Sequence, residues 1–180
     1  MKVTPTALAD VLLIQPRVFA DARGFFFESY NRRAFAEAGI DVEFVQDNHS
    51  RSARGVLRGL HYQIEHAQGK LVRVISGDVY DVAVDMRRGS PTFGRSIGMT
   101  LTAHDKQMLW IPPGFAHGFL VLSETAEFLY KTTDYWYPEF ERSLLWNDST
   151  LGIALPLQQA PTLAAKDAAG TPLSLADAYP

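Results

Sequence analysis

Three histidines stand where their chemistry could be used. His61 lies in Val56-Leu57-Arg58-Gly59-Leu60-His61-Tyr62, a strand-like run in which the small Gly59 lets another group approach the backbone closely. His117 follows the break Pro112-Pro113-Gly114 and precedes Gly118-Phe119, at a loop-to-strand junction. His49 belongs to a polar cluster, Gln46-Asp47-Asn48-His49-Ser50, set between strand signals. His66 and His104 sit in polar, loop-like segments and read as surface or hydrogen-bonded structural residues. A neutral imidazole near pH 7 takes up a proton and an adjacent carboxylate can orient it, so His61 suits a general base. Lys70 and Arg58 are fixed cations near it in sequence. They would stabilise a developing enolate oxygen or bind a phosphate. The alternative is that they are solvated charges at strand ends.

The main competing chemistry is a metal centre. Small metal-binding barrels use a His-x-His pair, a Glu several residues on and a third His from a later strand. The segment from Pro113 to His117 resembles the later half of that pattern, but Gln63 stands two residues after His61, which leaves too few ligands. No metal is expected. The 180 residues contain no cysteine, which excludes disulfides, thiolate metal sites, iron–sulfur clusters and cysteine nucleophiles. No Gly-x-Ser-x-Gly elbow is present, which argues against a serine hydrolase. With 17 basic and 20 acidic residues the net charge is −3, so no basic excess exists to neutralise a nucleic acid or an anionic membrane. The N-terminal run MKVTPTALADVLLIQP has an apolar stretch of only four, too short for a signal peptide core or a membrane span. A soluble, cytoplasmic protein is expected, with proton transfer, a nucleophilic serine or binding as its chemistry.

The elements that must position these groups read as short strands. Leu71 to Ile75 and Val79 to Asp85 flank the turn cluster Ser76-Gly77-Asp78 and are expected to form a hairpin. Ser96–Thr102, Gln107–Ile111, Gly118–Leu122 and Glu127–Thr133 follow, separated by Arg88-Gly89-Ser90-Pro91, Pro112-Pro113-Gly114 and Ser123-Glu124-Thr125. Turn signals roughly every ten residues predict an all-β sandwich or barrel. One helix is supported: Asn31 caps it, Phe35 faces inward and Gly39 ends it in a left-handed residue. The tail from Ala160 to Pro180 reads as short helical turns and loop lying on the barrel. Strict two-residue alternation puts Arg58 and His61 on opposite faces, so a bulge at Gly59 or a strand end must bring them together.

Seven blocks carry a resemblance. They are Arg23-Gly24-Phe25-Phe26-Phe27-Glu28, Gln46 to Ser50, Gly55 to His61, Gly69 to Val74, Asp85 to Gly94, Pro113 to Phe119 and Tyr130-Lys131-Thr132-Thr133. In this order, and spanning Phe19 to Asp167, the chain resembles the dTDP-4-dehydrorhamnose 3,5-epimerases. The resemblance implies one domain over residues 1–180, an all-β, cupin-like jelly roll with a few short peripheral helices and a core barrel over about 41–150. It also implies a homodimer, with the N-terminal segment contacting the partner and the C-terminal tail packing on the barrel. The implied activity needs no metal and no cofactor: a dTDP-linked 4-keto-6-deoxy sugar is inverted at C3 and C5. His61 corresponds to the base, Tyr130 to the acid, Asp167 to the carboxylate that orients the base, and Lys70 to the cation that stabilises the C4 enolate. Arg23, Glu28, Gln46, Asn48, Arg58, His117, Glu141 and Lys166 correspond to substrate-binding positions, with Arg23 and Glu28 reaching into the partner's site.

One position departs from the family. Where it usually places a tyrosine that stacks on thymine, this sequence has Trp136 within Asp134-Tyr135-Trp136-Tyr137-Pro138. An indole stacks on a base at least as well as a phenol, so Trp136 or a neighbouring tyrosine is expected to keep that contact. The alternatives are a sister enzyme that inverts only C3 or only C5, and, more distantly, a non-catalytic or metal-binding cupin that binds sugar.

Overall fold

Short strands cannot bury their apolar faces singly, and here they do so in two facing sheets. The computed structural model describes every residue from Met1 to Pro180. In chain order the strands are β1 (Lys2–Pro5), β2 (Leu12–Gln15), β3 (Phe19–Asp21), β4 (Gly24–Phe26), β5 (Gln46–Ala53), β6 (Leu57–Gln63), β7 (Lys70–Ser76), β8 (Asp78–Asp85), β9 (Ser96–Thr102), β10 (Met108–Ile111), β11 (Phe115–Val121), β12 (Thr125–Thr132) and β13 (Glu141–Ser143). Two short helices, α1 (Arg32–Glu37) and α2 (Ala165–Ala168), accompany them. One sheet has the order β1-β2-β10-β7-β12-β5 and the other β13-β6-β11-β8-β9, while β3 and β4 pair only with each other. The eight strands from β5 to β12 therefore interleave as 5-12-7-10 facing 6-11-8-9, which is a jelly roll. The all-β expectation, with short peripheral helices, is borne out. No helix is long and apolar enough to cross a membrane.

Each sheet buries apolar residues on both its faces. Val72, Val74, Leu109 and Phe128 from one sheet meet Val79, Ala83, Leu101 and Phe119 from the other between the layers. Val82, Val84, Leu60 and Tyr62 point away from that interior and lie under Leu144, Leu151 and Ala176 of the C-terminal part of the chain. On the opposite outer face Ile14, Leu71, Met108 and Trp110 pack against Phe35 and Ile40. Helix α1 follows its sequence signals: the Asn31 side chain accepts from Ala34 N–H, and Gly39 at φ +90° closes it. Gly39 N–H donates to Ala36 and Ile40 N–H to Phe35, bringing Ile40 and Phe35 together in the core.

Two readings of the sequence need correction. Leu71–Asp85 is not a hairpin: β7 pairs with β10 and β12, whereas β8 pairs with β9 and β11 in the other sheet. Gly77, at φ +75°, is the corner between them, and a Cβ there would lie 2.2 Å from the Thr125 carbonyl. The polar cluster from Gln46 to Ser50 is itself strand, the first half of β5. It forms an edge, with Asn48 opposite Tyr130 and Gln46 opposite Thr132, so polar residues on both its faces are tolerated. The four-residue strands β1 and β2 went unread, being too short for alternation to show.

Candidate active site

Between the two sheets lies a cavity of about 540 Å³. His61 reaches it because β6 is irregular. Arg58 pairs with Phe119 and His61 with His117, so three residue steps on β6 match two on β11. The expected bulge at Gly59 is present, and both Arg58 and His61 line the cavity. Gly59, at φ +125°, lies against Gly118: a Cβ on Gly59 would fall 2.5 Å from the Gly118 Cα. The close approach foreseen at Gly59 is thus to another glycine.

The partner of His61 comes from the far end of the chain. Thr162 exchanges backbone hydrogen bonds with Gly55 and Leu57, tying the tail to the start of β6, and α2 follows. Asp167 on α2 places Oδ1 2.5 Å from His61 Nε2 across a separation of 106 positions. Burial alone would raise this carboxyl. The His61 hydrogen bond and charge, the Gly59 N–H and the Lys166 ammonium more than offset it and hold Asp167 below the usual carboxylate range. Lys70 Nζ donates to the His61 carbonyl at 3.2 Å. Burial pulls its pKa down to about 8, against the opposing charges of Glu141 and Asp81 and with Lys166 adding to the depression.

Beside this pair is a second. His117 Nε2 lies 2.9 Å from an Asp81 oxygen, and both residues are buried. Here burial wins: it pushes the Asp81 carboxyl above its ordinary value despite His117 and Lys70. Asp81 was not among the sequence candidates. A carboxylate within the apolar strand Val79–Val84 was the available signal, since a buried charge needs a partner.

The opposite wall is Tyr130 on β12, with Asn48 across from it on β5. Burial, then the charge of Glu141, raises the phenol above its ordinary value, with Arg58 pulling the other way. Gln46 Nε2 donates to Asn48 Oδ1 at 3.0 Å, and Arg58 Nε donates to Ser52 Oγ at 2.9 Å. Lys166 and Glu141 form a 2.8 Å ion pair that also lines the cavity. Trp136 stands at its mouth, 55% exposed, with its backbone N–H donating to Gln46 Oε1 at 3.3 Å.

Two candidates stand elsewhere. Arg23 projects from the β3–β4 turn with its side chain 89% exposed and its guanidinium on Asp21. Glu28 accepts from Asn31 Nδ2 at 3.2 Å. Neither lines the cavity of its own chain. Around them Phe19, Phe25 and Phe26 are exposed by half or more. His49 turns outward to Glu127 at 3.0 Å, and His104 is an exposed neighbour of Asp105.

Residues 5–174 match the family model of dTDP-4-dehydrorhamnose 3,5-epimerase. The chain belongs to that family. It is 66% identical to the dTDP-4-dehydrorhamnose 3,5-epimerase of Pseudomonas aeruginosa over 181 residues, covering all of both chains. Among solved structures, it superimposes with a TM-score of 0.95 on the dTDP-6-deoxy-D-glucose-3,5-epimerase of Legionella pneumophila in complex with dTDP-4-keto-L-rhamnose. That pair is 50% identical, over 98% of this chain and 94% of the other. A 3'-monoepimerase from Streptomyces bikiniensis in complex with dTDP-quinovose shares the fold at a TM-score of 0.89 but is only 32% identical, over 94% and 87% of the two chains. The fold alone therefore does not separate double from single epimerisation, whereas the identities favour the double epimerases.

Proposed function

We propose that this chain inverts C3 and C5 of dTDP-4-dehydro-6-deoxy-D-glucose to give dTDP-4-dehydro-L-rhamnose, with no cofactor. The ketone at C4 acidifies the hydrogens on both flanking carbons. Neutral His61 removes each proton, becoming an imidazolium that the Asp167 carboxylate stabilises and that returns its proton to solvent before the next abstraction, and the buried Lys70 stabilises the enolate oxygen. Tyr130, a phenol held above its ordinary pKa and therefore protonated at neutral pH, returns a proton to the other face of the ring. The observation that carries this reading is geometric: His61, bonded to Asp167 of α2, belongs to one sheet, Tyr130 to the other, and both line one cavity. No metal enters, because His61 and His117 are each engaged by an aspartate and the residue two after His61 is Gln63.

Arg58, Lys166, Gln46, Asn48, His117 and Glu141 hold the substrate, and Trp136 stacks on the base. Arg23 and Glu28 serve the cavity of a second copy, so the working unit is a homodimer. The exposed phenylalanines beside them support that reading, since an apolar patch on a hairpin calls for a covering surface. The substrate is a nucleotide sugar, and the cytoplasm is the proposed site of action. The test is NMR product analysis after incubation with the 4-keto sugar nucleotide in deuterated water. Deuterium at both C3 and C5 of an L-rhamno product is expected. Label at one carbon would make the protein a monoepimerase, and no label would make it a binding module.

A further inference from the structure

The residue two positions after His61, where a metal-binding barrel would place its second histidine, is a glutamine with a different task. Gln63 is buried, 3% exposed, and its amide is spent on main chain. Oε1 accepts from Tyr137 N–H at 2.7 Å, while Nε2 donates to the Tyr135 carbonyl at 3.1 Å and to the His66 carbonyl at 2.8 Å. Two of these bonds fall immediately before and after Trp136. Tyr135 and Trp136 are each 55% exposed, so burial contributes little to fixing this stretch. Polar clamps hold it instead. Gln68 Nε2 and Thr132 Oγ1 both donate to the Asp134 carbonyl, and the His66 ring stacks on Tyr137 at 4.1 Å between centroids. Gln63 is the member of this set that joins the segment to β6, the strand carrying His61.

We infer that Gln63 is a positioning residue, fixing Trp136 at the cavity mouth and so setting the affinity for the planar, nucleobase end of the substrate. The inference rests on the reading above in which Trp136 stacks on the base. The chemistry asks for an amide. One group must offer an acceptor to Tyr137 and two donors to Tyr135 and His66, which neither an imidazole nor a carboxylate supplies. A loosened segment would spread Trp136 over several conformers and leave only a fraction of molecules ready to stack. The proton-transfer groups would be untouched, because neither His61 nor Asp167 hydrogen-bonds to Gln63.

The test is a double-mutant cycle read by calorimetry with dTDP as the probe, together with kcat and KM on the 4-keto sugar nucleotide. Gln63→Leu is expected to weaken dTDP binding about tenfold, within the range a single stacked base supplies. KM should rise similarly with kcat changed less than about twofold. Trp136→Ala should weaken dTDP by a similar factor, and adding Gln63→Leu to it should cost less than about twofold more. Should Gln63→Leu not fold, Gln63→Glu keeps the acceptor for Tyr137, loses both donors and runs the same cycle. An equal penalty with and without Trp136 would make Gln63 merely structural and overturn the inference. Unchanged dTDP affinity in the Gln63 variant while Trp136→Ala weakens it would also overturn it. Unchanged affinity in Trp136→Ala would overturn the stacking reading and the inference together.

Discussion

Strands β6 and β11 each present a histidine, opposite one another in register, and each binds an aspartate through Nε2. The two pairs have the same chemistry and different surroundings. Asp81 comes from β8, a strand next to β11 in the same sheet, and is sealed in the barrel. Asp167 arrives on the tail, in the four-residue α2, and accepts a long bond from Gly59 N–H and the field of Lys166 as well. Burial wins at Asp81 and raises it; partners win at Asp167 and lower it. The His61 side chain is 22% exposed and the His117 side chain 7%. A carboxylate held ionised favours an imidazolium beside it, whereas one pushed towards neutrality favours it less. A histidine–aspartate pair is therefore not in itself a base: the environment of the carboxylate bears on it, and that difference supports the proposed choice of His61.

The largest effects should separate the two pairs. His61→Ala is expected to lower both turnover and solvent exchange by about 10³-fold, the range general-base catalysis spans. Asp167→Asn should cost about 10²-fold in kcat, measured under saturating substrate. Asp81→Asn should cost less than about tenfold in kcat and show chiefly in KM. Equal losses of kcat in Asp167→Asn and Asp81→Asn would erase the distinction. A smaller effect is expected on the other wall. In Tyr130→Phe, His61 can still remove a proton and return a deuteron to the same face. Deuterium should then enter recovered substrate while epimerised product falls by about 10- to 100-fold. Full epimerisation in that variant would show that another group supplies the acid.

Much of the barrel was legible because turn residues punctuate it: Ser96–Thr102 emerged with its observed bounds, and Asn31, Phe35 and Gly39 behave as a cap, an anchor and a stop. What could not be read is which sheet each strand joins. Ser76-Gly77-Asp78 looks like a hairpin turn whether the chain folds back or crosses over, and only packing against Thr125 and Ala126 decides. The same limit governs the site. Local spacing singled out His61 and required a bulge near Gly59, but nothing local joins His61 to Asp167. That pairing came through resemblance, and the geometry now supplies its means, the Thr162 bridge to Val56. Asp81 is a charge inside an apolar strand, where Tyr80, Val82 and Val84 alternate with Asp81, Ala83 and Asp85. Both faces of β8 are buried, so alternation could not tell interior from tail-covered exterior.

The smallest predicted effect tests the link between the two pairs. Lys70 donates to the His61 backbone carbonyl, and Asp81 is one of the two carboxylates whose charge opposes its depression to about 8. If the ammonium is the form that stabilises the enolate, kcat falls as pH rises through about 8. Stability moves the other way. Between about 8 and 10.4 the unfolded chain keeps its Lys70 proton and the folded chain has released it, so the unfolded state binds more protons and stability rises with pH. Lys70→Met should abolish both slopes, read as kcat and as Tm across pH 7.5–10, a window chosen to end at about the ordinary tyrosine pKa. Asp81→Asn removes a charge that favours the ammonium, so the alkaline limb of kcat should move to lower pH, by less than about one unit. Asp167 bonds the His61 ring whereas Lys70 bonds the His61 carbonyl, so Asp167→Asn should leave the limb in place while lowering its height. A limb at the same pH in Asp81→Asn and the unaltered protein would mean that the buried pair leaves Lys70 unmoved, and His117 with Asp81 would then be structural support alone.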